Sequence, residues 1–301
     1  MLCRNPYMQS GLSFGCGQCM HCRINNRRHW ANRLMLESTS HEFNCFVTLT
    51  YDDDHLPKTC GCKACSGYHE TGTLKPKHGT DFLKRLRFDL STKNRVCRFY
   101  WVGEYGDTTQ RPHYHALLFG VSEIETSTIQ AHWPYGHVMV GECNIHTASY
   151  TAQYVTKKLT KSDDPLLNGR HPEYARMSNR PGIGAYAADS IGDTLLTKAG
   201  TYVLESTQGE PPSQILVAGK RQPLHRYLKG RIRRRVGLPE YGINSPSAQA
   251  AKQRLQDLLG ADALLPEMAR KQALLNKTEH LARARLKRQS IWQSQQKGKT
   301  L

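Results

Sequence analysis

Residues 99 to 120 hold two apolar, strand-like runs, and the second opens on His113-Tyr114-His115. Side chains two apart on a strand project from one face, so both imidazoles are committed to the same side of whatever sheet forms. Two imidazoles side by side are what a divalent metal needs from its first two ligands. The preceding run, Phe99 to Glu104, closes on a carboxylate that offers a hard oxygen as a third ligand. A His-x-His pair alone also occurs in structural and surface roles, so its meaning rests on what accompanies it.

Thirty-five residues past His115 the chain reads Tyr150-Thr-Ala-Gln-Tyr154-Val-Thr-Lys157-Lys158. On a helix, Tyr150, Tyr154 and Lys157 fall within about 60° of one another and share one stripe. An ordinary half-buried helix face has the same spacing. A phenol with a pKa of about 10 is protonated at neutral pH. A neighbouring ammonium favours the phenolate, and a metal on a phosphate oxygen stabilises transition-state charge. Metal ligands followed by tyrosines at helical spacing suggest phosphodiester chemistry through a tyrosine nucleophile.

Three blocks together resemble the HUH endonucleases of rolling-circle replication, most closely the replication initiators of small single-stranded DNA phages of the microvirus (gokushovirus) type. They are Phe46-Val-Thr-Leu-Thr-Tyr51, Arg111-Pro-His-Tyr-His115 and Tyr150-x3-Tyr154-x2-Lys157, with Glu104 nine residues before His113. The resemblance covers about residues 1 to 190. It implies a palm-like α+β fold and a Mg²⁺ or Mn²⁺ ion on Glu104, His113 and His115. It also implies attack by Tyr150 or Tyr154 on a single-stranded DNA origin, with Lys157 assisting. The product is a 5′-phosphotyrosine and a free 3′-hydroxyl, which a host polymerase extends; the second tyrosine later cuts and rejoins. With no Gly-x4-Gly-Lys-Ser/Thr phosphate loop in the sequence, unwinding falls to a host helicase.

The charge balance agrees with a polyanionic partner. Lys and Arg total 42 against 25 acidic residues, a formal net charge of +17, and neutralising phosphates releases condensed counterions. No apolar run approaches the ~20 residues that span a bilayer, and Met1-Leu-Cys-Arg-Asn-Pro6 lacks the apolar core of a secretion signal. No membrane partner and a place in the host bacterial cytoplasm are expected.

The ten cysteines are clustered. Cys3 with Cys16-x2-Cys19-x2-Cys22 offers four thiolates at spacings suited to a closed, structural Zn²⁺ site. Cys60, Cys62 and Cys65, with His69 or His55, form a possible second zinc group, whose alternative is a surface loop with spare thiols. Cys45, Cys97 and Cys143 lie in apolar runs and read as core.

The element order predicts an α+β protein with an antiparallel central sheet, flanking helices placed mainly on one side, an N-terminal zinc-binding segment and a helical C-terminal tail. The expected divisions are a cysteine-rich segment and basic helix (1–40), an endonuclease core (41–160), a basic Gly/Pro/Arg-rich extension (161–245) and a basic helical tail (246–301). A helix over 23–40 carries Ile24, Trp30 and Leu34 on one stripe. Its other face holds Arg23, Arg27, Arg28 and Arg33, which suits either solvent or a phosphate backbone. Thr80 is expected to cap a helix running to Leu90. Seven basic residues and no acid lie between Arg221 and Arg235, among them Arg231, Arg233, Arg234 and Arg235, a second candidate DNA contact. From Ser245 onward eleven basic residues stand against four acidic ones. His132-Trp133-Pro134-Tyr135 suits stacking on unpaired bases or aromatic core packing. The segment Met177 to Gly184 also resembles the phage proteins but suggests no mechanism. Two other readings remain: an HUH transposase or relaxase, and a zinc-stabilised nucleic-acid-binding protein without catalysis.

Overall fold

A computed structural model describes residues 3–59, 71–153, 164–217, 219–239 and 246–297. In chain order these form β1 (Tyr7–Gln9), β2 (Leu12–Phe14), α1 (Met20–Ser38), β3 (Asn44–Thr50), β4 (Lys58–Thr59), β5 (Thr71–Gly72) and α2 (Pro76–Thr92). Then come β6 (Arg98–Tyr105), β7 (Pro112–Phe119), α3 (Thr126–Ala131), β8 (Val138–Glu142), α4 (Ile145–Thr151), β9 (Tyr174–Met177), α5 (Ala185–Leu195) and α6 (Lys198–Ser206). The chain ends with β10 (Gln214–Val217), β11 (Lys220–Pro223), α7 (Arg226–Arg235), α8 (Pro246–Leu259) and α9 (Glu267–Lys297). Two compact units result. One gathers Met1–His29, Asp189–Ile215 and Pro223–Leu301, and the other Trp30–Ala188 and Leu216–Gln222.

The second unit is built on a five-stranded sheet in the order β8-β3-β7-β6-β9, with every neighbouring pair antiparallel. The middle strand is β7, which carries the histidine pair. On one face Val47, Leu49, Trp101, Tyr114, Ala116 and Leu118 pack against Phe82, Leu86 and Leu90 of α2 and Ile129 of α3. On the other, Tyr100, Val102, Leu117 and Phe119 meet Ala31 and Leu34 of α1 and Ala148 of α4. Helices therefore cover both faces, not mainly one. The reason is visible in β6 and β7: residues of both parities are apolar, and neither set can be left in water.

Several local expectations shift. Thr80 does not cap α2. Pro76 starts the helix a turn earlier, its fixed φ suiting the first helical position, and the Thr80 hydroxyl donates back to the Pro76 carbonyl at 3.0 Å. The fifth strand, β9, arises from a stretch with little periodicity, because its four residues need only the β6 edge to pair with. Trp133 is buried and donates its indole N–H to the Thr50 carbonyl at 2.9 Å, so core packing is its role. Cys45 and Cys97 are buried as expected, and Cys143 is half-buried.

The structure also explains the Met177–Gly184 segment. Glu37 of α1 is fully buried; its carboxylate takes the Arg98 guanidinium of β6 and the Gly184 amide. Arg98 also donates to the Pro181 carbonyl at 2.8 Å, and Arg33 donates twice to the Ile183 carbonyl at 3.1 and 3.0 Å. Burial raises the Glu37 pKa, but bonds from His41, Arg98 and the Gly184 amide outweigh it and hold the group below the usual carboxylate range. Its contribution is therefore complete at neutral pH and is lost as the pH falls through that depressed pKa.

The other unit opens on the β1–β2 hairpin, whose turn residues Ser10 and Gly11 both have positive φ (50° and 73°), the backbone a two-residue hairpin favours. In α7, Arg231 and Arg235 pair with Asp189 and Asp193, and buried Arg233 pairs with Glu210. The tail is helical, as α8 and α9.

Breaking a buried ion pair by removing one partner costs about 3–5 kcal/mol. Arg98→Met should therefore destabilise the protein by about that amount in urea unfolding, because it strands the Glu37 carboxylate. Glu37→Gln, which keeps an acceptor for Gly184, should cost less. Equal stabilities for Arg98→Met and the unmodified chain would remove the network from the fold's foundations.

Candidate metal centre and its tyrosine

The site lies at one end of the sheet, on the face covered by α1 and α4. Antiparallel pairing sets Glu104 of β6 directly opposite His113 of β7, and Thr48 of β3 opposite His115. The side chains that replace the apolar pattern at this end thus come from three adjacent strands. The ligand atoms of Glu104, His113 and His115 all lie within 4.8 Å of one another. The Nε2 atoms of His113 and His115 are 3.4 and 3.2 Å from one Glu104 oxygen.

The imidazoles are oriented by their other nitrogens. His113 Nδ1 is 3.1 Å from the Arg111 carbonyl, so it carries the proton and donates. His115 Nδ1 is 2.9 Å from the Thr48 hydroxyl. Both contacts leave Nε2 turned toward Glu104, with the second nitrogen held, as metal-bound histidines generally are. Ligands about 2.1 Å from an octahedral ion sit about 3.0 Å apart when adjacent, near the spacings found here. The residues therefore fit a divalent ion.

Tyr150, in the last turn of α4, places its hydroxyl 3.2 Å from His115 Nε2. Asn144 fixes the start of that helix with a reciprocal capping box, its side chain accepting the His146 and Thr147 amides at 2.9 and 3.1 Å. Phe46 supports the pair: it stacks on His115 with ring centroids 5.5 Å apart and meets Tyr150 edge-on. Burial raises the Tyr150 pKa, and the negative charges of Glu104 and Asp107 raise it further. Without a cation, this pocket holds Tyr150 as a neutral phenol.

Phe46, Thr48 and Asp107 do not stand out individually in the sequence. Phe46 and Thr48 belong to the Phe46–Tyr51 block, where strand alternation puts both on one face, a signal the sequence does carry. Asp107 has none, since its influence depends on where the β6–β7 turn folds. Tyr154 and Lys157 lie outside the described residues, as do Cys60, Cys62, Cys65 and His69. His55 is held by Asp52 at 2.8 Å.

The first cysteine group comes together in the other unit. Cys3, Cys16, Cys19 and Cys22 bring their sulfurs within 4.8 Å of one another, with Cys16–Cys22 at 4.0 Å and Cys19–Cys3 at 3.9 Å. Sulfurs at ~2.3 Å around a tetrahedral zinc are about 3.8 Å apart, so the cluster fits that ion. Backbone amides of Cys16 and Asn5 donate to Cys3 Sγ at 3.2 and 3.3 Å. The Cys19 amide donates to Cys16 Sγ and draws that thiol down to about 6.

The candidate DNA-contacting arginines divide. Arg23 and Arg27 are half-buried and Arg28 is exposed. The Arg27 guanidinium stacks on Trp292 at 3.8 Å. Arg231, Arg233 and Arg235 are committed to acidic partners, and Arg234 is exposed.

Comparison with known proteins matches this geometry. Residues 44–159, which include β3 through α4, match the family model of the phage replication-associated protein ORF2. The chain is 35% identical over 191 residues to Replication-associated protein ORF2 of Spiroplasma virus 4, covering 57% of this chain and 56% of that protein. It is 34% identical over 223 residues to Replication-associated protein VP4 of Bdellovibrio phage phiMH2K, covering 67% and 66%. To Replication-associated protein ORF4 of Chlamydia phage 1 it is 28% identical over 169 residues, covering 50% and 39%. The chain thus spans between about two fifths and two thirds of the length of these relatives. No solved structure matches. The resemblance to the phage initiators is borne out. Among the described residues, no helix is long and apolar enough to cross a membrane.

A closed four-thiolate site should hold its metal tightly. Purified protein is expected to carry at least one zinc per chain by elemental analysis, and Cys19→Ser with Cys22→Ser should remove it. Unchanged zinc in that double variant would place the metal elsewhere.

Proposed function

As a member of the phage replication-associated proteins, with the family's core at residues 44–159, this chain, we propose, is a rolling-circle replication initiator that nicks single-stranded DNA through a tyrosine. The observation that carries the reading is the Tyr150 hydroxyl 3.2 Å from His115, inside the Glu104, His113, His115 group. A binding protein without catalysis needs neither the metal group nor a phenol beside it.

Glu104, His113 and His115 would hold Mg²⁺ or Mn²⁺. Bound there, the ion supplies Lewis-acid polarisation of a phosphate oxygen. Zn²⁺ would also suit two imidazoles and a carboxylate by affinity. The chain's own residues do the rest. Phe46 and the end of α4 hold the Tyr150 ring, limiting the motion that separates the phenol from a bound phosphate. The phenolic oxygen forms a bond to phosphorus as the bond to the 3′ oxygen breaks. The phenol's proton is balanced by the one the 3′ oxygen takes up, leaving a 5′-phosphotyrosine and a 3′-hydroxyl. Lys157 is assigned to favour the phenolate, and Tyr154 to make the second cut and rejoin the strand, both from the family resemblance. The free 3′ end would then pass to a host polymerase and the duplex to a host helicase, in the bacterial cytoplasm. Zn²⁺ on the four cysteines has a structural part.

His113→Ala with His115→Ala should abolish cleavage of an origin oligonucleotide in Mn²⁺ while reducing its binding by less than about tenfold, since affinity comes from dispersed positive charge. Cleavage at the unmodified rate would end the metal assignment.

Tyr150→Phe should leave nicking by Tyr154 but stop release of closed circles, because rejoining needs two phenols. Tyr150→Phe with Tyr154→Phe should form no covalent adduct. Mass spectrometry of adduct peptides reads the outcome; nucleotide on Tyr51, Tyr105 or Tyr114 would overturn the assignment.

A further inference from the structure

α9 buries a stripe that runs Leu274, Thr278, Ala282, Gln289, with Arg285 and Trp292 half-buried along the same line. The steps of three and four residues mark one helix face. Its first half is apolar or satisfied: Leu274, Ala282 and a Thr278 hydroxyl that donates to the Leu274 carbonyl at 2.8 Å. Its second half puts Arg285 and Gln289 where a packed helix places leucine. Where this half faces α1, the Arg27 guanidinium lies 3.8 Å over the Trp292 ring.

The polar groups gathered there lack partners. His21, 1% exposed, has neither ring nitrogen hydrogen-bonded, and Gln289, 6% exposed, leaves Nε2 unpartnered. Arg27 Nη1 is also buried without a partner. An unmade hydrogen bond on a buried polar group costs about 1–3 kcal/mol, more for a charged one. Neither helix offers a counter-ion, since no acidic residue occurs between Met20 and Leu36 or between His280 and Lys297. Burial draws Arg27 down to about 10. Loss of solvent and the neighbouring charges of Arg28 and Arg288 also draw Arg285 below its usual range.

We propose that the seam of α1 and α9 is a phosphate site, in which Arg27 and Arg285 supply charge, His21 and Gln289 supply neutral donors, and Trp292 holds the Arg27 guanidinium flat. Guanidinium groups suit phosphate because their N–H donors match two oxygens at once. The shared chemistry is a phosphate oxygen pair, and the source argued here is the backbone of single-stranded DNA. The inference deepens the proposed function, because two basic segments far apart in sequence then make one strand contact away from any bond-breaking step.

The test uses the full chain, a labelled oligo(dT) without an origin, and no divalent metal, so it is independent of nicking. Arg27→Gln with Arg285→Gln should make the dependence of log K on log salt shallower by about 1.4, at ~0.7 per lost contact on a single strand. Arg283→Gln, a charge change on the exposed side of α9, should shift it by less than half as much. Gln289→Leu should raise the thermal midpoint of the free protein while weakening oligo(dT) binding, since it replaces an unsatisfied group with an apolar one. Inorganic phosphate in the same titration separates the sources: displacement of oligo(dT) only at ionic-strength-equivalent concentrations supports the strand, whereas displacement at micromolar phosphate overturns it for a free anion. Equal slopes for the double variant and Arg283→Gln, or loss of zinc with a lowered midpoint in Gln289→Leu, would make these residues structural supports of the cysteine cluster and overturn the proposal.

Discussion

Antiparallel register between β6 and β7 is the constraint on which the candidate site depends. It sets Glu104 opposite His113, and the neighbouring ladder with β3 sets Thr48 opposite His115. A slip of one residue would turn every side chain of one strand to the other face. Here such a slip would drive His113 and His115 into the aromatic layer of Trp101 and Trp133, and Tyr114 into the metal group. The burial of both faces makes that error costly in either direction. The ligand geometry is thus a by-product of hydrophobic packing further along the same strands, where Leu117, Leu118 and Phe119 are completely buried.

The buried Glu37–Arg98 pair is a second fixed point, and a different kind of one. It ties α1 to β6 and to the Pro181–Gly184 backbone in a region where apolar contacts alone leave carbonyls unsatisfied. Such networks specify an arrangement more than they stabilise it, because desolvating the charges offsets much of their attraction. α1 packs on the same sheet face as Tyr150 and His115, so what positions this helix also shapes the wall of the site.

The phenol illustrates how placement and chemistry interact. Tyr150 sits half-buried between His115 and Phe46, with Glu104 near its hydroxyl. In that setting the neutral form is favoured, and a cation on the carboxylate and imidazoles would reverse the local charge. Coupling between metal binding and nucleophile ionisation is then a property of the pocket. Asp107 adds to it from the β6–β7 turn.

Much of this is legible in the amino-acid sequence. Strand alternation puts His113 and His115 on one face, the paired runs place Glu104 near them, and spacing alone groups Cys3, Cys16, Cys19 and Cys22; each is a local pattern that survives in one dimension. Helices α1 and α2 begin about a turn earlier than their apolar stripes suggest, because the cysteine loop and Pro76 set those edges. What only the tertiary structure decides depends on partners far apart in sequence. β9 joins the sheet because β6 has an open edge, not because Tyr174–Met177 alternates. Arg231, Arg233 and Arg235 look alike in a basic run, yet Asp189, Glu210 and Asp193 neutralise them. Arg27 and Arg285 look like surface charge, yet they lie half-buried along helix seams. Sequence carries which side chains share a face; only folding decides what that face meets, since burial and counter-charge are properties of pairs of elements.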